Sequence, residues 1–381
     1  MKKVVGIAGA GMMGRGIAQV AAMAGWEVRL FDINEKVLKQ AKDHHSNIFA
    51  MLASRGKISD QEKKAYLSRI YYTPTLSLLG GSSLVIEAII EDINVKKELF
   101  RQIEKHISSQ IIFASNTSSL SITEIASTVS HPENFLGIHF FNPAPLMPLV
   151  EIIPAYQTKQ ELVVMCSELM EAWGKIPVVA SDTPGFIVNK VARPYYSEAL
   201  RIYEEGLASK EEIDQAMEAK DFRMGPFTLM DFIGHDVNYA VTESVWKAFY
   251  HEPRYQPSLT QLTLVRAGKL GRKTGEGFYQ WDGKNANRKL PSEPAKNWIF
   301  KRILVMLINE AADTVYKNFC SEKDVELAMT KGVNYPKGLL QWGEEWGYIN
   351  VVNLLDELYE LYHEERYRVS PWIRSKAEKN E

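Results

Sequence analysis

KVVGIAGAGMMGRGIAQVAAMAGWEVRLFD, residues 3 to 32, reads as strand, glycine-rich turn, helix and second strand. Residues 3 to 10 are a short apolar run of the kind a buried strand needs. Residues 14 to 25 form a small-residue helix that closes at Gly25, and 27 to 32 alternate into a strand with an acid at its end. The turn carries Gly9-x-Gly11-x-x-Gly14, with Met12 and Met13 at the variable positions. Between strand and helix these glycines permit a tight turn, a close approach by a pyrophosphate and close helix packing. The helix N-terminus then offers amide donors and the positive end of its dipole to the phosphates. Asp32, 18 residues past Gly14, can accept bonds from adenosine ribose hydroxyls and would repel a 2′-phosphate, which favours NAD over NADP. The competing reading makes Asp32 a plain cap for the helix that follows.

Outward from this unit, a charged, helix-prone stretch runs from Asn34 to about Tyr66 and is interrupted near Arg55-Gly56-Lys57. It reads as an antiparallel helical pair standing off the sheet. Further strands are expected at 84 to 90 (LVIEAII), 111 to 114 (IIFA), 135 to 141 (FLGIHFF) and 149 to 153 (LVEII). Strands alternating with helical segments imply an α/β, Rossmann-like, doubly wound sheet that is mostly parallel. After Asp182-Thr183-Pro184-Gly185 the pattern turns helical, over 186 to 205 and 210 to 219 and onward to the end, so a domain boundary is placed at 183/184.

The helical part repeats itself. Glu198-Ala199 returns as Glu310-Ala311, EEIDQAM as KDVELAM, and FYHEPRY (249 to 255) as LYHEERY (361 to 367), always 112 or 113 residues on. Two all-α modules are therefore expected, at 184 to 282 and 297 to 375, joined by a stretch near 268 to 297. The second copy reads as degenerate: Lys337-Gly338 stands where the first has Gly225-Pro226, and nothing in it matches GRKTGEGFY.

The 381 residues carry 45% hydrophobic and 24% charged residues and a net charge of −2, with no long run of either sign. That composition supplies a core for two or three domains and points to neither nucleic acid nor a membrane surface. Cys166 and Cys320 read as two buried thiols in apolar helical stretches; no CxxC or histidine cluster has metal-ligand spacing. With a core strand so close to Met1, no targeting segment is expected, nor any apolar run of bilayer length, and the expected location is the cytoplasm.

Two strands each hold one ionisable residue in apolar company: His139 in FLGIHFF and Glu151 in PLVEII. Lone buried charges are costly, so such residues are paired or turned out of the core. Only NPAPLMP separates the two strands, so the carboxylate could hold the imidazole as a general acid/base. Ser118 follows a strand in ASNTSSLSIT, at the sheet edge where ligands bind, although Asn116 to Ser119 could equally form a capping turn. Asn189, polar within GFIVNKVA, is ambiguous in the same way.

The chain resembles the 3-hydroxyacyl-CoA dehydrogenases. GIAGAGMMGRGIA, VIEAIIEDINVKKELF, ASNTSSLSIT, GIHFFNPAPLMPLVEII, DTPGFIVNK, MGPFTLMDFIG and GRKTGEGFY run in that family's order over roughly residues 1 to 280. The resemblance implies a dinucleotide-binding domain followed by all-α modules of the 6-phosphogluconate dehydrogenase C-terminal-like type. It makes His139 the general acid/base, Glu151 its orienting carboxylate, and Ser118 and Asn189 the partners of the reacting substrate. Asp32, Glu91, Lys96, Asn116, Ser118, Asn142 and Lys273 fall on or around NAD. The helical pair becomes the arm that receives coenzyme A, with Arg55 and Lys57 as candidate contacts to its phosphates. The implied reaction is NAD-dependent interconversion of (S)-3-hydroxyacyl-CoA and 3-oxoacyl-CoA, on a short acyl group or a dicarboxylic one. Compact members of the family pair through single helical modules, whereas large multifunctional subunits hold two in tandem. Here the second copy could form an internal pseudo-dimer, which weakens a homodimer expectation without excluding it. The rival readings are a sugar-acid or other β-hydroxyacid dehydrogenase of the same design, and a catalytically idle NAD-binding protein.

Overall fold

In the computed structural model, which describes residues 3–106, 111–281 and 293–379, the first unit (Met1–Thr183) is built on one sheet. Its strands are β1 (Val4–Ala8), β2 (Glu27–Phe31), β3 (Ile70–Thr73), β4 (Leu84–Glu87), β5 (Ile112–Ser115), β6 (Phe135–Phe140), β7 (Leu149–Pro154) and β8 (Ile176–Val179). They lie in the order 3-2-1-4-5-6-7-8, with β6 and β7 antiparallel and every other neighbouring pair parallel. The chain reverses direction across the sheet between β1 and β4, the place where open α/β sheets bind ligands. β1 is buried at all five residues, as a parallel strand covered on both faces must be.

The helices of this unit are α1 (Met12–Met23), α2 (Glu35–Ser54), α3 (Asp60–Ser68), α4 (Ile93–Glu104), α5 (Ile122–Ala126) and α6 (Gln160–Ala172). β3 and β8 have no counterpart among the strands read from sequence. Both are four-residue edge strands, and β8 contains Pro177, whose missing N–H costs little on an edge. The α2–α3 pair also departs from the expected stand-off. Leu38, Ala41, His45 and Phe49 give α2 a fully buried inner face, and Phe49 joins the main apolar cluster. His45 is the anchor: its Nδ1 meets Tyr72 Oη at 2.7 Å and its Nε2 meets the Arg15 carbonyl at 2.8 Å. Asn34 caps α2 by accepting from the Lys36 N–H, and Ser59 with Glu62 forms a reciprocal capping box on α3.

The second unit (Pro184–Glu381) is built of helices in its described residues, with isolated β-bridges joining Gly271, Glu276 and Gln280. One set comprises α7 (Val188–Val191), α8 (Arg193–Glu204), α9 (Lys210–Glu218), α10 (Pro226–Ile233), α11 (His235–Ala248) and α12 (Leu259–Arg266). A second set comprises α13 (Glu293–Tyr316), α14 (Glu322–Leu327), α15 (Leu339–Trp346), α16 (Tyr348–Tyr362) and α17 (Pro371–Glu378). The two follow the same course. Ser209 caps α9 as Ser321 caps α14, and Gly234 and Gly347 share a positive φ between the next two helices. α13 runs unbroken where the first set is split into α7 and α8, because Arg193-Pro194 starts a new helix and its counterpart is Val305-Met306. The residues 282–292 of the joining stretch lie outside the described residues.

Two expectations need correction. Gly338 is the N-cap of α15 as Gly225 is of α10, so the glycine is kept and only the proline is lost. The alignment slips by one residue because a π-helical turn at Ala328–Gly332 absorbs an insertion. Cys320 lies half-buried in the turn after α13, not within a helix, whereas Cys166 is fully buried in α6, where burial pushes its thiol up to about 12.

The two sets pack through a reciprocal pattern of buried charges. Lys190 of the first donates to Glu310 of the second, and Arg302 of the second donates from Nε to Glu198 of the first at 2.7 Å. Tyr255 Oη donates to Glu310 at 2.5 Å, and Tyr367 Oη to Glu198 at 2.9 Å. Position by position these are the same contacts exchanged between copies, which is what a two-fold interface requires.

Candidate active site

Each glycine of the turn after β1 has its own reason. Gly9 has φ +103°, and a Cβ there would lie 2.5 Å from the Ala88 carbonyl oxygen; a Cβ on Gly14 would lie 1.8 Å from the Gly9 carbonyl oxygen. Gly14 closes the turn upon itself, and Gly9 lets it lie against the backbone that follows β4. Gly11, the N-cap of α1, has nothing within 4 Å of where its Cβ would be. Its bareness serves a molecule approaching from outside. Beside it lies a cavity of about 910 Å³ lined by Gly9, Gly11, Met12, Met13, Asp32 and Val95 among others. Asp32 Oδ2 accepts from the Ala10 N–H and Oδ1 from the Asn34 N–H, both at 2.9 Å. Asn34 is the cap of α2, so Asp32 is not; its carboxylate borders the cavity. These residues fit a dinucleotide.

The loops after β4 and β5 are tied together by carboxylates. Glu87, at the end of β4, is wholly buried; it takes the Lys96 ammonium at 2.5 Å, the Ser115 hydroxyl at 2.6 Å and the Ile89 N–H at 2.7 Å. Lys96 is 1% exposed and also meets Glu91 at 3.2 Å, so it acts through Glu91 and does not reach the surface. Glu91 Oε1 accepts from Thr117 Oγ1 (2.6 Å), the Ser118 N–H (3.0 Å), Ser118 Oγ (3.3 Å) and Ser119 Oγ (3.1 Å). Burial pushes Glu91 up, but the Lys96 charge and these donors hold it below the ordinary carboxylate range. Sequence reading missed Glu87, although it shows the same signal as His139: one ionisable residue in an apolar strand.

His139 on β6 stands directly opposite Glu151 on β7, with Nδ1 2.7 Å from Glu151 Oε2; both side chains are buried. Next to it, Asn116 Oδ1 accepts the Phe140 N–H at 2.8 Å, fixing the end of β6 against the β5 loop. The Phe141 ring lies 4.5 Å from the imidazole, centre to centre. Asn142 follows, exposed, at a cis bond to Pro143. Lys175 was not foreseen: its ammonium holds the Ala144 and Met147 carbonyls at 2.5 and 2.8 Å and so staples the loop between β6 and β7. Burial lowers its pKa to about 8. Ser118, Glu91, His139 and Asn142 thus gather at the carboxyl ends of adjacent parallel strands. Arg55 and Lys57 are exposed at the tip between α2 and α3.

The remaining expected residues lie in the helical unit. Asn189 is half-buried in α7. Lys273 forms an ion pair with Asp236, at 2.6 Å to Oδ2. The segment around Lys273 is fastened by Asp231, whose oxygens accept from the Phe278 and Tyr279 N–H groups, Trp281 Nε1 and His235 Nε2 at 2.7 to 2.9 Å.

A dinucleotide turn with an acid after the second strand, on one sheet with a carboxylate-held histidine, defines an NAD-dependent dehydrogenase. Comparison with known proteins makes this specific. The family model for the NAD-binding domain of 3-hydroxyacyl-CoA dehydrogenase matches residues 4–183, and the model for its C-terminal domain matches both 185–281 and 298–381. The chain belongs to the 3-hydroxyacyl-CoA dehydrogenase family. It is 37% identical to the 3-hydroxyadipyl-CoA dehydrogenase of Escherichia coli K12, over 98% of this chain and 97% of that protein. The human mitochondrial hydroxyacyl-coenzyme A dehydrogenase is 42% identical over 73% of this chain and 91% of its own length. Among solved structures, a 3-hydroxybutyryl-CoA dehydrogenase from E. coli K12 superimposes with TM-score 0.95 at 35% identity, covering 100% and 99% of the two chains. The (S)-3-hydroxybutyryl-CoA dehydrogenase of Ralstonia eutropha covers 74% of this chain with all of its own, at TM-score 0.72 and 37% identity.

Proposed function

We propose that the protein interconverts short (S)-3-hydroxyacyl-CoA and 3-oxoacyl-CoA thioesters in the cytoplasm, with His139 as the general acid/base. The observation that carries the reading is the buried His139–Glu151 pair at 2.7 Å, on the sheet whose first strand leads into the dinucleotide turn. Glu151 takes the Nδ1–H, which leaves Nε2 as the basic nitrogen and stabilises the imidazolium once the ring is protonated. In the oxidative direction His139 removes the C3 hydroxyl proton while C3 loses hydride. Bound NAD supplies the hydride acceptor, and Gly9, Gly11, Met12, Met13, Gly14 and Asp32 would hold its adenosine and phosphates. Ser118 and Asn189 would hydrogen-bond the reacting oxygen, Glu91 and Lys96 would order the loop that presents Ser118, and Asn116, Asn142 and Lys273 would border the cofactor. Arg55 and Lys57 would meet the phosphates of coenzyme A. The second helical copy would occupy the place of a partner subunit, giving an internal pseudo-dimer.

The relatives named for 3-hydroxybutyryl-CoA and for 3-hydroxyadipyl-CoA frame the acyl group, monocarboxylic or dicarboxylic. Comparing kcat/KM for 3-hydroxybutyryl-CoA and 3-hydroxyadipyl-CoA, with NAD saturating, decides between them. Turnover of either supports the reading. A folded chain that binds NAD and oxidises neither these nor longer acyl-CoAs overturns it.

A further inference from the structure

Among the charges gathered around Glu198 and its counterpart Glu310, the two helical copies differ at two positions. Around Glu310, Arg254 is neutralised from both sides: its Nη1 lies 3.6 Å from Glu310 and 3.4 Å from Asp313, and Asp313 also holds Lys317 at 2.8 Å. The counterpart of Arg254 is Arg366, but the counterparts of Asp313 and Lys317 are Arg201 and Glu205, so both charges are reversed. Glu205 is drawn away, accepting both forks of Arg302 at 2.8 and 2.9 Å. Arg201 retains one contact, from Nη1 to Glu198 at 3.3 Å, and Arg366 reaches Glu364 at 2.8 Å. Two arginines therefore stand where the other copy has an arginine and an aspartate, 9% and 7% exposed.

Both border a cavity of about 380 Å³. Arg201 and Arg366 line it together with Ser197, Thr242, Gln261 and Thr260, the last in the first turn of α12. Arg366 Nε and Ser197 Oγ are buried without a partner. Burial holds Arg201 below the ordinary guanidinium range; Glu198 opposes that shift, and the charge of Arg366 adds to it. Two carboxylates also border the space: Glu205, which Arg302 neutralises, and Glu204, which accepts the Ser258 hydroxyl at 2.5 Å and keeps its charge. Like charges brought together out of water are costly unless something of opposite sign sits with them. A guanidinium fork suits the paired oxygens of phosphate or carboxylate.

We propose that this cavity binds a compact polyanion, a phosphate group or a di- or tricarboxylate, between Arg201 and Arg366 at the junction of the two helical copies. The ligand stands in for the missing acid and ties the copies together. The cavity shares no residue with the proposed catalytic set and does not depend on the acyl-CoA assignment.

The test is isothermal titration of inorganic phosphate and of citrate into the full chain, saturated with NAD and coenzyme A so that their phosphate sites are filled, with chloride holding ionic strength constant. Saturable binding of either anion is expected, and the better of the two identifies the class. Arg201→Asp, which places there the acid that the other copy carries at Asp313, should weaken that binding at least tenfold. Should it not fold, Arg201→Gln gives the same reading. No saturable heat from either anion, or binding that survives both substitutions undiminished, overturns the proposal.

Discussion

His45 shows how one buried side chain makes the fold sensitive to pH. Burial pushes its pKa down to about 4, against 6.5 for an exposed imidazole. Between those values the unfolded chain binds a proton that the folded chain refuses, so stability falls as pH drops from about 6.5 to 4. The loss amounts to about 3 kcal/mol. Urea unfolding across this range should show a steeper fall for the wild type than for His45→Gln, although the variant starts less stable at pH 7. Asp214 works the other way: burial raises it to about 6 despite bonds from Thr228 and Phe227, so its share of stability grows as pH falls through 6. Glu151→Gln isolates the orienting role proposed for Glu151 beside His139. An amide can still bond Nδ1 but cannot stabilise an imidazolium, so kcat should fall by about 10²-fold or more with KM little changed. His139 and Glu151 were legible because each interrupts an apolar strand. Glu87 gives the same signal and went unread, because its partner Lys96 lies on a helix and no strand pairing announced it. Lys175 was hidden for a further reason: its partners are backbone carbonyls, which sequence does not distinguish.

At the scale of elements, the turn after β1 separates folding from binding. Gly14→Ala places a methyl 1.8 Å from the Gly9 carbonyl oxygen and should destroy the turn. Gly11→Ala puts its methyl into open space, so melting temperature should hold while NAD affinity falls about tenfold or more; fluorescence titration beside a thermal melt separates the two. On the α2–α3 arm, the proposed phosphate contacts of Arg55 and Lys57 would bind ground and transition states alike, so Arg55→Ala with Lys57→Ala should raise KM for the acyl-CoA by about 3- to 10-fold at unchanged kcat. The βαβ unit and the long strands were readable because burial on both faces imposes a continuous apolar run. β3 and β8 were not, being short and on the edges, and β8 carries a proline. The arm's stand-off was misread because a single face of α2, anchored by His45 and Phe49, is turned onto α1 and β3.

For the whole molecule, the repeat was visible in sequence as a constant offset, yet its consequence needed coordinates. The reciprocal Lys190–Glu310 and Arg302–Glu198 contacts join residues more than 100 positions apart, and nothing local to either predicts the partner. Arg302→Met removes the partner of both Glu198 and Glu205 and should cost about 3–5 kcal/mol in denaturant unfolding, the usual consequence of breaking a buried ion pair. A chain ending at Trp281 would uncover the face that α13 covers. Light scattering should then find more chains per particle than the full chain has.

Reduction of acetoacetyl-CoA by the full chain, followed as loss of NADH absorbance with His139→Gln in parallel, bears most directly on the enzyme as a whole. The mechanism requires turnover by the wild type and a fall of about 10²- to 10⁴-fold in the variant, with NADH affinity retained. A variant that keeps wild-type turnover would contradict it, because proton transfer would then not pass through the histidine that Glu151 holds.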